Sequence, residues 1–274
     1  MARPNNRPVP GKHQSRNAAG PKKTSADDPL VWGIHPVMEL ISLKSSAVKE
    51  IILNAPPSSE KIQQIVSLAG QQKIPVLIKE QSELFTENKR MNHQGVIARI
   101  WPMETLSLDS IIHETTKPHA SKILLALDSI QDPHNLGAII RSATAAGVDG
   151  IIIPKDRSAP LSGATVKVSA GAIVHSKICQ VTNLPSTLQI LKKQGFWIFG
   201  ADKSDQQSIY QTDFSGPVCL VMGGEEKGLR PLVKEQCDFL ITIPMAGPVE
   251  SLNASVATAI ILFEIIRQKS AHIA

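Results

Sequence analysis

The chain has 274 residues, of which 42% are hydrophobic and 19% charged, so it can bury one large core or two ordinary ones. No stretch approaches the roughly 18 consecutive apolar residues of a membrane-spanning helix, and the first residues lack the apolar segment of a secretory signal. Most of the net charge of +5 lies in residues 1–29, which carry six basic residues against Asp27 and Asp28. The six basic residues are Arg3, Arg7, Lys12, Arg16, Lys22 and Lys23.

Residues 1–29 are predicted to be a disordered basic tail. Such an arm would add sequence-independent phosphate contacts, and a merely solubilising tail is the alternative interpretation. Because the rest of the chain carries only +1, charge alone does not establish an RNA partner. The tail's arginines fit a transit peptide, but its Pro, Asn and Gly residues would break the amphipathic helix that such a peptide needs. The cytoplasm is the expected compartment.

Residues 30–102 have the pattern of a small α/β domain. VWGIHPVMELISL predicts a turn and a helix, KEIILNA a strand, and SSEKIQQIVSLAGQQ an amphipathic helix with a serine cap. IPVLIKE predicts a second strand, SELFTE a short helix and GVIARIW a third strand. Residues 103–118 mix Ser, Thr, Pro and acidic residues, which predicts an interdomain linker holding one short helix.

From Ser121 onwards, short apolar strands alternate with helices. The predicted strands are KILLALD, GIIIP, KICQV, FWIFGA, VCLVM and FLITIP. The predicted helices are NLGAIIRSATAAG, GATVKVSAGA, LPSTLQILKKQG, LRPLVKEQ and LNASVATAIILFEIIRQK. Continuously apolar strands separated by helices are typical of a mostly parallel sheet covered on both faces. Residues 119–274 therefore predict a second α/β domain, whose ligands should bind at the carboxyl ends of its strands.

Several common enzyme sites are missing from this sequence. It has no GxGxxG turn after the first strand of the second domain, no GxxxxGK[ST] loop and no GxSxG elbow, which argues against a Rossmann-type dehydrogenase. The three cysteines show no CxxC spacing and the eight histidines no HExxH pattern, so we expect neither zinc nor disulfides. Cys179 and Cys219 lie in apolar surroundings, which predicts small buried hydrophobic side chains.

The first of three polar loops is DPHNLGAIIRSATAAG, residues 132–147. Asn135 suits the N-cap of the helix, which is its structural interpretation. Arg141 is the only charge in a helix of Ala, Ile, Gly, Ser and Thr, and its neighbours three and four residues away are small. A guanidinium on such a face suits a phosphate or carboxylate ligand. The alternative is an ion pair with a nearby Asp.

The second loop is VCLVMGGEEKGLRPL, residues 218–232, in which a buried strand runs into Gly223 and Gly224. Glycines at a strand end allow a tight turn and the close approach of a ligand. Glu225 would orient a hydroxyl or a cation there. An ordinary turn with exposed acidic residues is the alternative.

The third loop lies within residues 241–264, where a strand ends in a segment rich in Pro and Gly. Ser251 and Asn253 then open a helix that is apolar nearly all round, and Ser251 as N-cap is the structural interpretation. Such a helix must be buried inside the domain or against a second subunit.

Together and in this order, the three loops resemble the motifs of the SpoU/TrmH family of RNA ribose 2′-O-methyltransferases, in the knotted SPOUT class. The resemblance covers DPHNLGAIIRSA, LVMGGEEKGLRPL and IPMAGPVESLNASVATAI within residues 121–268, with Ala254 where Val is commoner. IIIPKDRSAP and VWGIHPVMELI further resemble the subgroup that methylates a guanosine of 23S rRNA.

The resemblance implies a trefoil knot whose loops bind S-adenosylmethionine in a bent pose, largely through main-chain groups, without a metal. By position it assigns the cofactor to Gly223, Ile243 and Leu252, with Gly200 as a weaker candidate. It assigns catalysis to Asn135, Arg141, Glu225, Ser251 and Asn253. Arg141 would contact the substrate phosphate and position the 2′-hydroxyl, because a free guanidinium is almost never a base. Glu226 and Lys227 vary in the family and receive no role. The resemblance also implies a homodimer that buries the last helix.

Residues 30–102 resemble the family's substrate-binding domain, which implies RNA binding, and a role in dimerisation alone is the alternative. The expected function is S-adenosylmethionine-dependent methylation of a guanosine ribose 2′-hydroxyl in 23S rRNA. One alternative is methylation of tRNA or of another rRNA site, although tRNA enzymes of the family commonly lack this amino-terminal domain. Another is a non-catalytic RNA-binding ribosome-assembly factor, which would be expected to lose some of the catalytic residues.

Overall fold

The computed structural model describes residues 29–79, 93–113, 118–169, 171–203 and 207–271. The short helix predicted over SELFTE lies outside these ranges, as does all of the predicted tail except its last residue. Of the helices in these ranges, none has the length and apolar character needed to cross a membrane.

The amino-terminal part forms a four-stranded sheet in the order β1-β4-β2-β3. Its strands are β1 (Leu30–Trp32), β2 (Val48–Leu53), β3 (Val76–Ile78) and β4 (Val96–Ile100), and its helices are α1 (Ile34–Lys44) and α2 (Glu60–Gln71). The predicted serine cap of α2 is present, because the Ser59 side chain accepts a hydrogen bond from the Ile62 amide. The strand β1 was not predicted. It forms because Leu30 and its neighbours pair with β4, a contact between distant residues that local sequence does not encode.

The carboxyl-terminal part forms a seven-stranded sheet in the order β7-β6-β5-β10-β8-β11-β9. Its strands are β5 (Ile123–Asp128), β6 (Gly150–Pro154), β7 (Ile178–Val181), β8 (Trp197–Ala201), β9 (Gln207–Ser208), β10 (Val218–Gly223) and β11 (Phe239–Thr242). Each neighbouring pair is parallel. The predicted α/β class and the six predicted strands are confirmed. The two-residue edge strand β9 is too short to leave a periodic pattern.

Helices cover both faces of the large sheet. They are α3 (Leu108–His113), α4 (Pro133–Ala145), α5 (Gly163–Val168), α6 (Leu184–Lys193), α7 (Pro231–Lys234) and α8 (Ala254–Ala271). Alternate residues of β5 point to opposite sides. Leu125 and Leu127 pack into the core with α4, α5 and α8, whereas Leu124 and Ala126 pack with α3, α6 and α7.

The segment predicted as a linker packs on the edge of the large sheet. The Leu106 amide donates to the Ile178 carbonyl at 2.7 Å. Ile111, fully buried in α3, lies so close to Gly150 that a Cβ there would be 2.3 Å from its Cγ2. The helix predicted within this segment is therefore part of the core rather than a free spacer.

The two sheets share one continuous core through β1 and α5. Gly163 at the start of α5 lies against the Leu30 backbone, where a Cβ would be 1.5 Å from the carbonyl oxygen. Beside it, the Lys167 ammonium lies 5.2 Å from the centre of the Trp32 ring. A larger residue at position 163 would push the two parts of the chain away from each other.

Candidate active site

The carboxyl ends of β5 and β10 lie side by side, because Asp128 and Gly223 are register partners. The loops that follow them enclose a cleft of about 560 Å³. Its lining residues are Ser129, Ile130, Gln131, Asp132, Asn135, Arg157, Gly224, Glu225, Glu226, Lys227, Gly228 and Arg230. The cleft thus lies at the sheet edge where a parallel α/β sheet is expected to bind its ligand.

One residue from each of the three polar loops meets the others beside this cleft. The Asn135 Nδ2 donates a hydrogen bond to the Glu225 Oε1. The Asn253 Nδ2 donates to the same carboxylate oxygen at 2.9 Å and to the Asn135 Oδ1 at 3.0 Å. We call these three residues the amide–carboxylate trio. Two amide donors on one carboxylate oxygen hold it in place and leave Oε2 without a hydrogen bond within the described residues.

Asn135 is free to join the trio because another residue caps its helix. The helix α4 begins at Pro133, and the Asp132 Oδ1 accepts a hydrogen bond from the His134 amide at 2.9 Å. The interpretation of Asn135 as N-cap is therefore wrong. Proline is favoured at the first helical position, so Pro133 sets the start of the helix two residues before the predicted cap.

Asn253 has two roles at the start of α8. Its Oδ1 accepts hydrogen bonds from the Ser255 amide at 2.9 Å and the Ser255 hydroxyl at 2.5 Å, which caps the helix, while its Nδ2 serves the trio. The interpretation of Ser251 as N-cap is wrong. Ser251 is exposed, precedes the helix by three residues and makes no hydrogen bond to any residue that the structure describes.

Arg141 lies apart from the trio on the surface of α4. It follows Asn135 by six residues, which places it about 9 Å further along the helix axis and about 120° around it. Its side chain is exposed, forms no hydrogen bond or ion pair inside the described ranges, and does not line the cleft. The alternative of an ion pair with a nearby Asp is therefore not seen. Its small neighbour Gly137 serves helix packing, because a Cβ there would be 2.7 Å from the Val168 side chain of α5.

The two glycines assigned to the cofactor are both closely covered by the loop that follows β10. A Cβ on Gly223 would lie 2.2 Å from the Gly228 carbonyl carbon and 2.4 Å from the Leu229 nitrogen. A Cβ on Gly200, which is buried in β8, would lie 2.6 Å from the Cys237 Sγ and 2.8 Å from the Leu229 Cδ1. The absence of a side chain at both positions is thus required by packing of the loop.

The cysteine thiols act as apolar packing groups. Cys179 and Cys219 are buried, as predicted, and all three thiols are free. Burial raises the pKa of Cys237 to about 12, and burial also raises the pKa values of Cys179 and Cys219. The thiols therefore stay protonated and unreactive at neutral pH.

Ile243 and Leu252 lie half-buried at the two ends of the segment that joins β11 to α8. Most of the residues between them are exposed, and the backbone of residues 243–252 makes no hydrogen bond within the part of the chain that the structure describes. β11 is adjacent to β8, which is adjacent to β10, so these residues share the sheet edge with Gly223. Free main-chain donors and acceptors flanked by two apolar side chains fit S-adenosylmethionine, which offers polar groups and an apolar purine.

The sequence patterns missed one pair that shapes the cleft. Asp128 ends β5, is fully buried, and accepts hydrogen bonds from the Arg230 amide at 2.8 Å and the Arg230 Nε at 2.6 Å. This pair ties the far end of the loop at residues 224–230 to β5. The available signal was an acid closing an otherwise apolar strand, KILLALD.

Replacing Asp128 with alanine should lower the free energy of unfolding by about 3 kcal/mol, the low end of the range for a broken buried ion pair, because Arg230 can be partly hydrated. Chemical denaturation measures this loss. Asp109→Ala is the control, since its contact with His113 is largely exposed and should be worth well under about 1 kcal/mol. Equal stability of the two variants would contradict an anchoring role for Asp128.

Comparison with known proteins assigns the chain to a family. The model of the SpoU rRNA Methylase family matches residues 122–263, more than half of the chain, and a model named "RNA 2′-O ribose methyltransferase substrate binding" matches residues 30–106. The chain belongs to the SpoU rRNA methylase family. The SpoU match contains every member of the amide–carboxylate trio, and Arg141 as well.

Known rRNA methyltransferases are similar to this chain in sequence and in fold. The 23S rRNA (guanosine-2′-O-)-methyltransferase RlmB of Pseudomonas putida is 40% identical over 87% of this chain and 96% of its own. The AdoMet-bound rRNA methyltransferase of Sinorhizobium meliloti is 27% identical, with a TM-score of 0.69 over 88% of this chain and 87% of its own. The SpoU methyltransferase AviRb of Streptomyces viridochromogenes, at 23% identity, has the same fold, with a TM-score of 0.74 over 90% and 92% of the two chains.

Proposed function

We propose that this protein transfers the methyl group of S-adenosylmethionine to the ribose 2′-hydroxyl of a guanosine in 23S rRNA. The observation that carries the proposal is the similarity to RlmB of Pseudomonas putida along nearly the whole of both chains. The amide–carboxylate trio is further support, because its hydrogen bonds form an organised polar site at the expected sheet edge. A degenerate, non-catalytic relative would have no reason to retain it.

The segment at residues 243–252 and the end of β10 are the proposed cofactor site. When bound there, S-adenosylmethionine supplies an electrophilic methyl group on a sulfonium. Gly223, Ile243 and Leu252 hold it through main-chain groups and apolar contact. Gly200 contributes indirectly, because it lets Leu229 pack against β8. The trefoil knot that the family resemblance implies stays a prediction.

The amide–carboxylate trio is the proposed element that orients the ribose. Glu225 lines the cleft, and its Oε2 is available to accept a hydrogen bond from the 2′-hydroxyl while Oε1 is held by Asn135 and Asn253. Such a contact orients a lone pair of the 2′-oxygen towards the methyl donor. The carboxylate also attracts the hydroxyl proton as the new oxygen–carbon bond forms. Ser251 shapes the exposed loop next to this site.

Arg141 is the proposed contact for the substrate phosphate. Its guanidinium is exposed and forms no ion pair with the described residues, so it loses no intramolecular ion pair when RNA binds. Because Arg141 does not touch the trio, it acts on the same RNA strand at a distance rather than on Asn135 or Glu225 directly. Its role is to position the strand and stabilise charge, since arginine is almost never a base.

The amino-terminal sheet is the proposed substrate-binding part, and its family model carries that description. The close packing of Gly163 on Leu30 supports a fixed arrangement in which RNA held by one part reaches the cleft of the other. We place the reaction in the cytoplasm. The basic tail would add phosphate contacts of low specificity.

We also propose that two copies associate through α8. Val256 and Phe263 are 47% and 51% exposed and lie one heptad apart, with Ile260 between them on the same face. An exposed apolar stripe on a helix is typical of a face that a partner covers.

Phe263→Glu should shift the protein to a monomer, because it puts a charge into that apolar stripe. Light scattering after size-exclusion chromatography measures the mass. Ile190→Glu on α6 is the matched control, since Ile190 is similarly exposed at 46% but lies on another surface. A wild-type protein that is monomeric at micromolar concentration would contradict the dimer.

The function is tested by incubating the protein with radiolabelled S-adenosylmethionine and unmodified 23S rRNA, and then mapping the methylated ribose by primer extension. We expect one modified guanosine. Label found instead on tRNA or on another ribosomal RNA would replace the proposed substrate. Binding of 23S rRNA without any transfer would favour a non-catalytic assembly factor.

A further inference from the structure

Arg157 lies on the wall of the cleft in a loop that received no role from the sequence motifs. The loop follows β6 and is anchored on both sides. The Lys155 amide donates to the Val181 carbonyl at 2.9 Å, and the Ala159 amide donates to the Ile130 carbonyl at 2.8 Å. Arg157 is therefore held at a defined place beside the cleft.

The backbone of Arg157 has a φ of 60°, in the left-handed region that costs energy for a residue with a side chain. Glycine or asparagine would fit this position more easily. Strained residues of this kind persist where the surrounding structure enforces them, and they concentrate at functional sites. The presence of an arginine side chain at a position that favours glycine therefore suggests that the side chain has a function.

Three of the six charged residues that line the cleft have hydrogen-bond or ion-pair partners, whereas Arg157, Glu226 and Lys227 have none among the described residues. Of these three, Arg157 alone has a left-handed backbone. Arg230 is paired with Asp128, Glu225 is held by the trio, and Asp132 caps α4. Arg157 is exposed and has no hydrogen bond or ion pair with the residues placed by the structure. A guanidinium with free donors at the wall of a ligand cleft is suited to an oxyanion with several acceptor oxygens.

We propose that Arg157 binds a backbone phosphate of the RNA strand beside the nucleotide that is methylated. This inference rests on the proposed function and adds a substrate contact to it. Arg157 and Glu225 line the same cleft, so a ribose held by Glu225 has its flanking phosphate within the reach of a long arginine side chain. Arg157 is a binding residue for the strand and takes no part in moving the proton.

The test uses Arg157→Gly, because glycine removes the guanidinium and suits the left-handed backbone. Thermal unfolding should therefore occur at the wild-type temperature or above it, which separates loss of binding from loss of folding. Filter binding with full-length 23S rRNA should give a dissociation constant about tenfold higher, as expected for one charge-assisted hydrogen-bonded contact. The slope of log K against log salt should become smaller in magnitude by about 0.7, the value for one phosphate of a single strand.

Two further variants sharpen this result. Arg157→Lys keeps the charge and should recover much of the affinity and the salt dependence. Lys155→Ala removes one positive charge two residues earlier, from an exposed residue outside the cleft lining, and should leave both nearly unchanged.

Three results would overturn the proposal. In the first, Arg157→Gly binds RNA with the affinity and salt slope of the wild type. In the second, Lys155→Ala loses as much RNA affinity as Arg157→Gly does. The third is a weaker affinity for S-adenosylmethionine with unchanged RNA binding, measured by calorimetry, which would assign Arg157 to the carboxylate of the cofactor. Methyl transfer is measured in parallel. If the wild-type protein binds the RNA through Arg157 and yet transfers no methyl group, that result would contradict the proposed function but would still support the contact between Arg157 and the RNA.

Discussion

Arg141→Ala should reduce methyl transfer by about a hundredfold, because loss of its phosphate contact would misplace the RNA strand relative to the reaction site. Binding of S-adenosylmethionine should stay close to the wild-type value, because Arg141 lies outside the cleft and is not among the residues proposed to hold the cofactor. Single-turnover rates with 23S rRNA and calorimetry with the cofactor measure the two quantities separately. Stability should change little, since the side chain has no partner to lose inside the described ranges.

Two variants test whether the lower rate is caused by loss of the guanidinium at this position. Arg141→Lys keeps the charge without the planar fork, so an intermediate rate is expected if two phosphate oxygens are bound together. Lys193→Ala removes an exposed helical cation from α6 and should leave the rate unchanged. Turnover at the wild-type rate in Arg141→Ala would remove this residue from the mechanism.

Gly223→Ala should abolish detectable cofactor binding and destabilise the fold by about 1–3 kcal/mol, the usual cost of overpacking. The added Cβ would lie 2.2 Å from a backbone carbon of Gly228. Backbone cannot rotate away as a side chain can, so the whole loop at residues 224–230 must shift. Because this loop carries Glu225, the trio should open as well. Calorimetry with S-adenosylmethionine and chemical denaturation provide the measurements.

Gly70→Ala is the matched control for this substitution. Gly70 lies within α2, and nothing lies within 4 Å of the position that its Cβ would take. Alanine there should raise stability by about 0.5–1 kcal/mol, because glycine is costly inside a helix. If Gly223→Ala bound the cofactor as well as Gly70→Ala does, the end of β10 would not belong to the cofactor site.

The sheet of the second part was predictable because its strands are short runs of apolar residues with helices between them. That signal is local, and it located every long strand and the sheet edge that holds the cleft. The strands β1 and β9 were missed because they depend on pairing with distant residues. The family motifs supplied the residues of the trio, which are separated along the chain by as many as 118 positions.

The helix caps show why local rules fell short within the site. Asn135 and Ser251 are both good capping residues, yet Asp132 and Asn253 do the capping. Residue preference says which types can cap, whereas the position of Pro133 and the tertiary contacts of Asn253 decide where each helix begins. The buried Asp128 and the cleft residue Arg157 were missed for a related reason. The role of each depends on its position next to a loop that is distant in the sequence.

The central claim is that the edge formed by β10, β8 and β11 holds the methyl donor next to the amide–carboxylate trio. A crystal structure of the protein soaked with S-adenosylmethionine tests it most directly. We predict the donor between Gly223 and the segment at residues 243–252, with its polar groups on main-chain atoms and its methyl group towards Glu225. A donor bound elsewhere, with that edge containing only water, would contradict the account.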